Sequence, residues 1–134
     1  MKIKNRFPPN IEKIVNRLGK LPLNVVFTYG EIIYAPFHNS KKIPKDLMVH
    51  EKTHMKQQGN DPEGWWNQYL SDDVFRLRQE REAYKNQCRF FKQNCKIKSK
   101  IPEFLERIAR DFSSGVYGNI ISFDSALKEV SEDA

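Results

Sequence analysis

The stretch His50-Glu51-Lys52-Thr53-His54 constrains this chain more than any other. Histidines four residues apart on a helix lie about 6 Å apart along the axis and project from nearly the same face. That spacing lets two imidazoles hold one Zn²⁺ at about 2.0–2.1 Å each. Glu51 follows the first histidine and stands beside the metal, where it can take a proton from a metal-bound water. The pattern predicts the helix of a zinc hydrolase. A surface helix that carries His, Glu and His by chance is the plain alternative. The apolar Leu47, Met48 and Val49 argue against it, because they give the helix a buried side.

A zinc centre that keeps one position open for water needs a third protein ligand. The chain has three histidines, and the third, His38, precedes the motif. A downstream histidine ligand is therefore excluded, and a carboxylate on the next long helix is expected. Glu80 and Glu82 compete, with Asp72 and Asp73 behind them. At about 100° per residue, Glu80 falls about 40° from Tyr84 and about 60° from Leu77, on the edge of that helix's apolar stripe. Glu82 falls about 160° from Tyr84 and points to solvent. Glu80 is thus the expected ligand. The competing reading pairs Glu80 with Arg76 one turn earlier.

Order along the chain follows from punctuation and period. Residues 1–9 read as an irregular arm closed by Pro8 and Pro9. Asn10 reads as the N-cap of a helix over 11–18, which Gly19 ends. Residues 21–34 are rich in β-branched and aromatic side chains and predict a hairpin turning at Tyr29-Gly30-Glu31. The motif helix starts near Pro44 and runs to about Gln58, where Gly59-Asn60-Asp61-Pro62 breaks it. A long helix follows from about Trp65 to Lys96, with Ser71 marked as a place to break. Its apolar stripe is Leu70, Val74, Leu77, Tyr84, Cys88, Phe91 and Cys95. Pro102 opens a helix over 103–112. Ser113 to Gly118 is turn-rich, and Ser122 or Asp124 caps a last helix ending near Val130, before a frayed Glu132-Asp133 tail. Trp65 and Trp66 read as core anchors or lid residues rather than substrate contacts.

At 134 residues, with 39% hydrophobic and 12% aromatic content, the chain suits one globular domain over 1–134. No apolar run approaches the length of a membrane span, so no membrane partner is expected. The N-terminus lacks the apolar stretch of a secretory signal. Cys88 and Cys95 sit about 10 Å apart along one helix, too far for a mutual disulfide, and read as reduced, buried thiols. These features predict a cytoplasmic protein. The net charge of +6 admits nucleic acid as a partner, but the lysine clusters are small and lack interleaved aromatics, so a solvated surface is favoured. Arg81 falls inside the stripe, where it either pairs with an acid or reaches the surface.

His50-Glu51-x-x-His54 with a helical Glu80 resembles the gluzincin metallopeptidases in a very small form. Glu80-Arg81-Glu82-Ala83-Tyr84 is similar to the Glu-x-x-Ala-Asp pattern in which gluzincins of the membrane-protease type place their third ligand. Tyr84 stands where that pattern has Asp. The layout with Gln57 also resembles small metallopeptidases encoded by bacteria and their phages. The resemblance implies a zincin-like α+β fold, mainly helical, with a small sheet over the motif helix. A strand at residues 32–37 would line the cleft and hold an extended peptide.

The implied reaction is hydrolysis of a peptide or protein substrate, with His50, His54 and Glu80 holding Zn²⁺ and Glu51 as general base. Tyr117 is the favoured donor to the oxyanion, ahead of Tyr84, His38 and Tyr34. Asp73, Asp72 or Asn67 would orient the histidines. The alternative function is an inactive metal-binding protein, or a basic one that binds nucleic acid or another partner.

Overall fold

Gly19, Gly30 and Gly59 take positive φ where the sequence places the end of the first helix, the hairpin turn and the end of the motif helix. A computed structural model describes residues 2–22, 24–37 and 42–132. In chain order its elements are β1 (Lys2–Lys4), α1 (Ile11–Leu18), β2 (Phe27–Tyr29), β3 (Ile32–Tyr34), α2 (Lys45–Gln58) and α3 (Pro62–Ser71). Then come α4 (Asp73–Asn94), α5 (Ile101–Phe112) and α6 (Phe123–Ser131). Short 3₁₀ turns cover Lys98–Lys100 and Gly115–Tyr117. The architecture is α+β, mainly helical with a three-stranded sheet. Among the described residues no helix is long and apolar enough to cross a membrane.

The supposed arm at residues 1–9 contains a strand. β1 pairs in parallel with β3, Lys2 opposite Ile32 and Lys4 opposite Tyr34, and Asn5 extends the contact by donating to the Ala35 carbonyl at 3.1 Å. Three residues are too few to display a period, which is why the sequence reads as irregular there. β2 pairs antiparallel with β3 on its other side, so the order is β1-β3-β2. β3 is therefore central, and the strand expected to take a peptide along its edge has none to offer. Gly30 supplies the positive φ, 63°, that the two-residue hairpin turn requires.

The stretch after Trp65 breaks at Ser71, the place the sequence marks, and two helices form, the first starting already at Pro62. Asp72 ends α3, and its carboxylate accepts from the backbone N–H groups of Val74 and Phe75 at 3.0 and 3.1 Å, starting α4. Local capping here outweighs continuation of the helix. The reset of direction also takes Val74 out of the stripe, leaving it 58% exposed. Cys88 is buried, whereas Cys95 is half-buried at the end of α4. Asn10 occupies the N-cap position of α1 but makes no capping bond. Ser122 does cap α6, accepting from Ser125 N–H at 3.2 Å.

Two apolar clusters flank the motif helix. One joins α4, α5 and α6 through Tyr84, Cys88, Phe104, Leu105, Ile108, Phe112, Ala126 and Val130. The other joins α1, the sheet and α3 through Ile14, Phe27, Tyr34, Trp65, Trp66, Tyr69 and Leu70. Helix α2 runs along α4 and against β2 and α3. Its buried residues are His50, Glu51, Thr53, His54 and Gln58, all polar. Leu47, Met48 and Val49, expected to form its inner side, are only half-buried.

A buried guanidinium ties these parts together. Arg76 on α4 is 0% exposed. Its Nε donates to the Tyr117 carbonyl at 2.8 Å and its Nη1 to the Tyr69 carbonyl at 2.6 Å, while Nη2 pairs with Asp73. Arg76 is thus committed elsewhere and does not pair with Glu80. Arg81 reaches Glu129 on α6 at 2.9 Å. Truncating Arg76 leaves two carbonyls without their donor. Arg76→Ala should lower unfolding free energy by about 2–4 kcal/mol. Urea denaturation checks this, and a loss below about 1 kcal/mol would refute the clamp.

Candidate metal centre

Helical spacing on α2 puts His50 and His54 one above the other, and α4 carries Glu80 to meet them. His50 Nε2 lies 3.1 Å from His54 Nε2 and 3.1 Å from Glu80 Oε1. His54 Nε2 lies 3.2 Å from Glu80 Oε2. Ligands bonded tetrahedrally at 2.0–2.1 Å stand about 3.3 Å apart, so the trio matches the spacing of a zinc site. All three side chains are buried, and among the described residues they form the group of His, Cys, Asp and Glu side chains that could hold a metal ion.

Hydrogen bonds outside the trio decide what faces inward. His50 Nδ1 meets Gln87 Oε1 at 2.9 Å, and His54 Nδ1 meets Gln57 Oε1 at 2.8 Å. A carbonyl oxygen accepts, so both Nδ1 atoms carry the proton and both Nε2 atoms turn a lone pair toward Glu80. Tyr69 donates to Glu80 Oε2 at 2.6 Å. Three acceptors therefore converge in a buried space. Such a cluster needs a cation, either a proton or a metal.

In the absence of metal the proton takes that place. Burial disfavours the His54 imidazolium, but the Glu80 carboxylate outweighs it and raises the pKa to about 9. Burial alone would raise Glu80, yet His54 and His50 hold it well below the ordinary carboxylate range. Glu51 is shifted upward, chiefly by burial, with the two histidines opposing. Its Oε2 lies 3.8 Å from His50 Nε2, and its Oε1 is 3.0 Å from Thr28 Oγ1 on β2. The same hydroxyl reaches the Glu51 carbonyl at 3.2 Å. Thr28 can donate to the ionised carboxylate, or accept from the protonated one while donating to the carbonyl. The carboxyl group thus has a partner in either state.

One cavity opens on all three residues of the trio and a second reaches His50 and Glu51. The first, mainly apolar and of about 60 Å³, is lined by Ile14, Leu18, Phe27, Trp65, Trp66 and Tyr69 among others. The second, more polar and of about 170 Å³, includes Asp46, Gln87, Arg107, Asp111 and Ser114. His50, Glu51, Val26 and Tyr117 border both. The Tyr117 hydroxyl lies 2.5 Å from that of Tyr84, whose ring packs edge-on to His50 at 4.4 Å. Burial and the Glu80 charge raise Tyr117 well above the usual phenol value, so it stays neutral and able to donate. Tyr34 is packed into the apolar cluster that holds Trp65 and Trp66. His38 lies outside the described residues.

The residues expected to orient the histidines do not. Asp72 caps α4, Asp73 pairs with Arg17 and Arg76, and neither meets an imidazole. Gln57 and Gln87 do that work instead. Their signal was in the numbering: Gln57 is three residues after His54, and Gln87 is seven after Glu80, each on the face of its neighbour. Glu82 is exposed, as its angle predicts, but it accepts from Gln57 Nε2 at 2.8 Å.

No family model, curated protein or solved structure matches the chain. The chemistry of the trio therefore stands on its own geometry. Because metal competes with the proton on His54, metal binding at pH 7 should release about one proton. Apparent affinity should rise about tenfold per pH unit below pH 9 and level off above it, as the imidazolium disappears. Titration calorimetry of the metal-free chain in buffers of different ionisation enthalpy measures this. A flat response between pH 6 and 8 would contradict the protonated trio.

Proposed function

We propose that this chain is a zinc-dependent peptidase with a zincin-like site, in which His50, His54 and Glu80 hold the metal. The observation that carries the reading is the convergence of three buried acceptors beside a second carboxylate, Glu51, that is not one of them. Two imidazoles and one carboxylate are the donor set of a zinc hydrolase. Zinc, when bound there, supplies a Lewis acid and lowers the pKa of its water toward about 7.

The chain's own residues supply the rest. Glu51 takes the proton at its carboxylate and returns it to the leaving amine, while Thr28 holds the group in place. Burial raises Glu51 above the ordinary carboxylate value, which makes it a stronger base than an exposed carboxylate. The Tyr117 hydroxyl, steadied by Tyr84, is the donor available to the developing oxyanion. On this reading a peptide would lie where the two cavities meet, at His50, Glu51 and Tyr117, with a mainly apolar lining in one and a more polar lining in the other. The nucleic-acid alternative draws less support, because Arg81 and Lys85 lie beside Glu129 and Glu132.

Purified chain should hold one zinc by mass spectrometry of the metal, and His50→Ala should hold none. Glu51→Gln should keep the zinc and lose about 10²–10⁴-fold in cleavage of a peptide library. Tyr117→Phe should lose about 10²-fold in kcat with little change in KM. A wild-type chain without stoichiometric zinc, or Glu51→Gln cleaving as well as wild type, would sink the proposal.

A further inference from the structure

We infer that Gln57 and Gln87 are positioning residues that dictate which ring nitrogen of each histidine faces the metal, and that Glu82 and Asp46 dictate which end of each amide faces its histidine. The inference rests on the metal reading above and deepens it.

A primary amide has a donor end and an acceptor end, and its direction follows from its partners. Gln57 Nε2 donates to the Gln79 carbonyl at 3.0 Å and to Glu82 Oε1 at 2.8 Å. Both of its N–H bonds are then used, on partners that cannot donate. Its Oε1 is left for His54 Nδ1. Gln87 repeats the pattern, with Nε2 donating to Asp46 Oδ2 at 2.8 Å and Oε1 meeting His50 Nδ1. Reversing either amide would set its carbonyl against a carboxylate and its N–H groups against an N–H. Each carboxylate therefore fixes an amide, each amide fixes a proton on Nδ1, and each Nε2 keeps its lone pair for the metal.

The two arms also cross from α2 to α4, the helices that share the ligands. Asp46 and His50 on α2 grip Gln87 of α4, and Gln57 of α2 grips Gln79 and Glu82 of α4. The trio is thereby spaced before any metal arrives. A metal-bound histidine commonly gives its other N–H to a carboxylate or a backbone carbonyl. Here a neutral amide stands between, so the carboxylate orients the ring without adding its full charge to the centre.

The donor-to-acceptor direction is open to test by reversal. Zinc affinity would be measured by competition with a chromophoric chelator, and the ring tautomers by NMR of ¹⁵N-histidine in the zinc-loaded chain. Gln57→Leu and Gln87→Leu should each weaken zinc about 10–100-fold. Gln87→Glu should also weaken it, because two carboxylates then face each other. Adding Asp46→Asn to Gln87→Glu should recover most of that loss, since the new amide donates where the Asp46 carboxylate accepted. Wild type should show Nδ1–H and a metal-bound Nε2 on both rings. Leucine variants with wild-type affinity, Nε2–H tautomers, or a double variant no better than Gln87→Glu would each overturn the inference while leaving zinc binding intact. A wild-type chain that takes up no zinc overturns the metal reading and this inference together. If circular dichroism shows Gln87→Leu unfolded, Gln57→Leu at the half-exposed rim carries the test.

Discussion

A helix that buries its polar side must be matched, group by group, by whatever surrounds it. Helix α2 turns His50, Glu51, Thr53, His54 and Gln58 inward, where water cannot satisfy them. The surroundings answer each one. β2 provides Thr28 for Glu51, and α4 provides Glu80 for both imidazoles and Asn86 for Thr53. The hairpin provides the Gly30 N–H from its turn and the Thr28 carbonyl from β2 for the two ends of the Gln58 amide. The arrangement of sheet, α3 and α4 around α2 is the arrangement that leaves these groups partnered.

This explains why the apolar residues separate into two clusters. The seam between them is polar because the ligands occupy it, and each cluster holds one side of the centre. The cluster around Trp65 and Trp66 supports Tyr69, which holds Glu80. The cluster around Phe112 supports Tyr84, which stacks on Phe112 and packs against His50. Arg76 binds backbone from both sides, the Tyr69 carbonyl at the end of α3 and the Tyr117 carbonyl beyond α5.

Much of the site was legible because helical geometry is rigid over short distances. His50, Glu51 and His54 share one turn, and the angle between Glu80 and its apolar neighbours places it inward without any knowledge of the fold. The same arithmetic reaches Gln57 and Gln87, but glutamine is so often a surface residue that spacing alone does not single it out. Acidic residues near the start of α4 are the more conspicuous candidates, and those are engaged in capping and in pairing with arginine. β1 escaped notice for another reason. Lys2-Ile3-Lys4 becomes a strand only because β3 offers an edge thirty residues away, and no local propensity carries that information. Likewise, the inward side of α2 could not be inferred from Leu47, Met48 and Val49, since the demand for partners around the ligands outweighs their hydrophobicity.

The Thr28 carbonyl has a consequence outside the site. It accepts from Gln58 Nε2 at 2.7 Å and from Trp66 Nε1 at 2.9 Å. Both of its lone pairs are taken by the chain's own side chains. A strand at the margin of a sheet ordinarily invites a stranger's backbone, and this is how many proteins begin to aggregate. Here the middle residue of β2 has no acceptor left to offer. The β2 margin is thus blunted at its middle residue by the same two side chains that fasten it to α2 and α3.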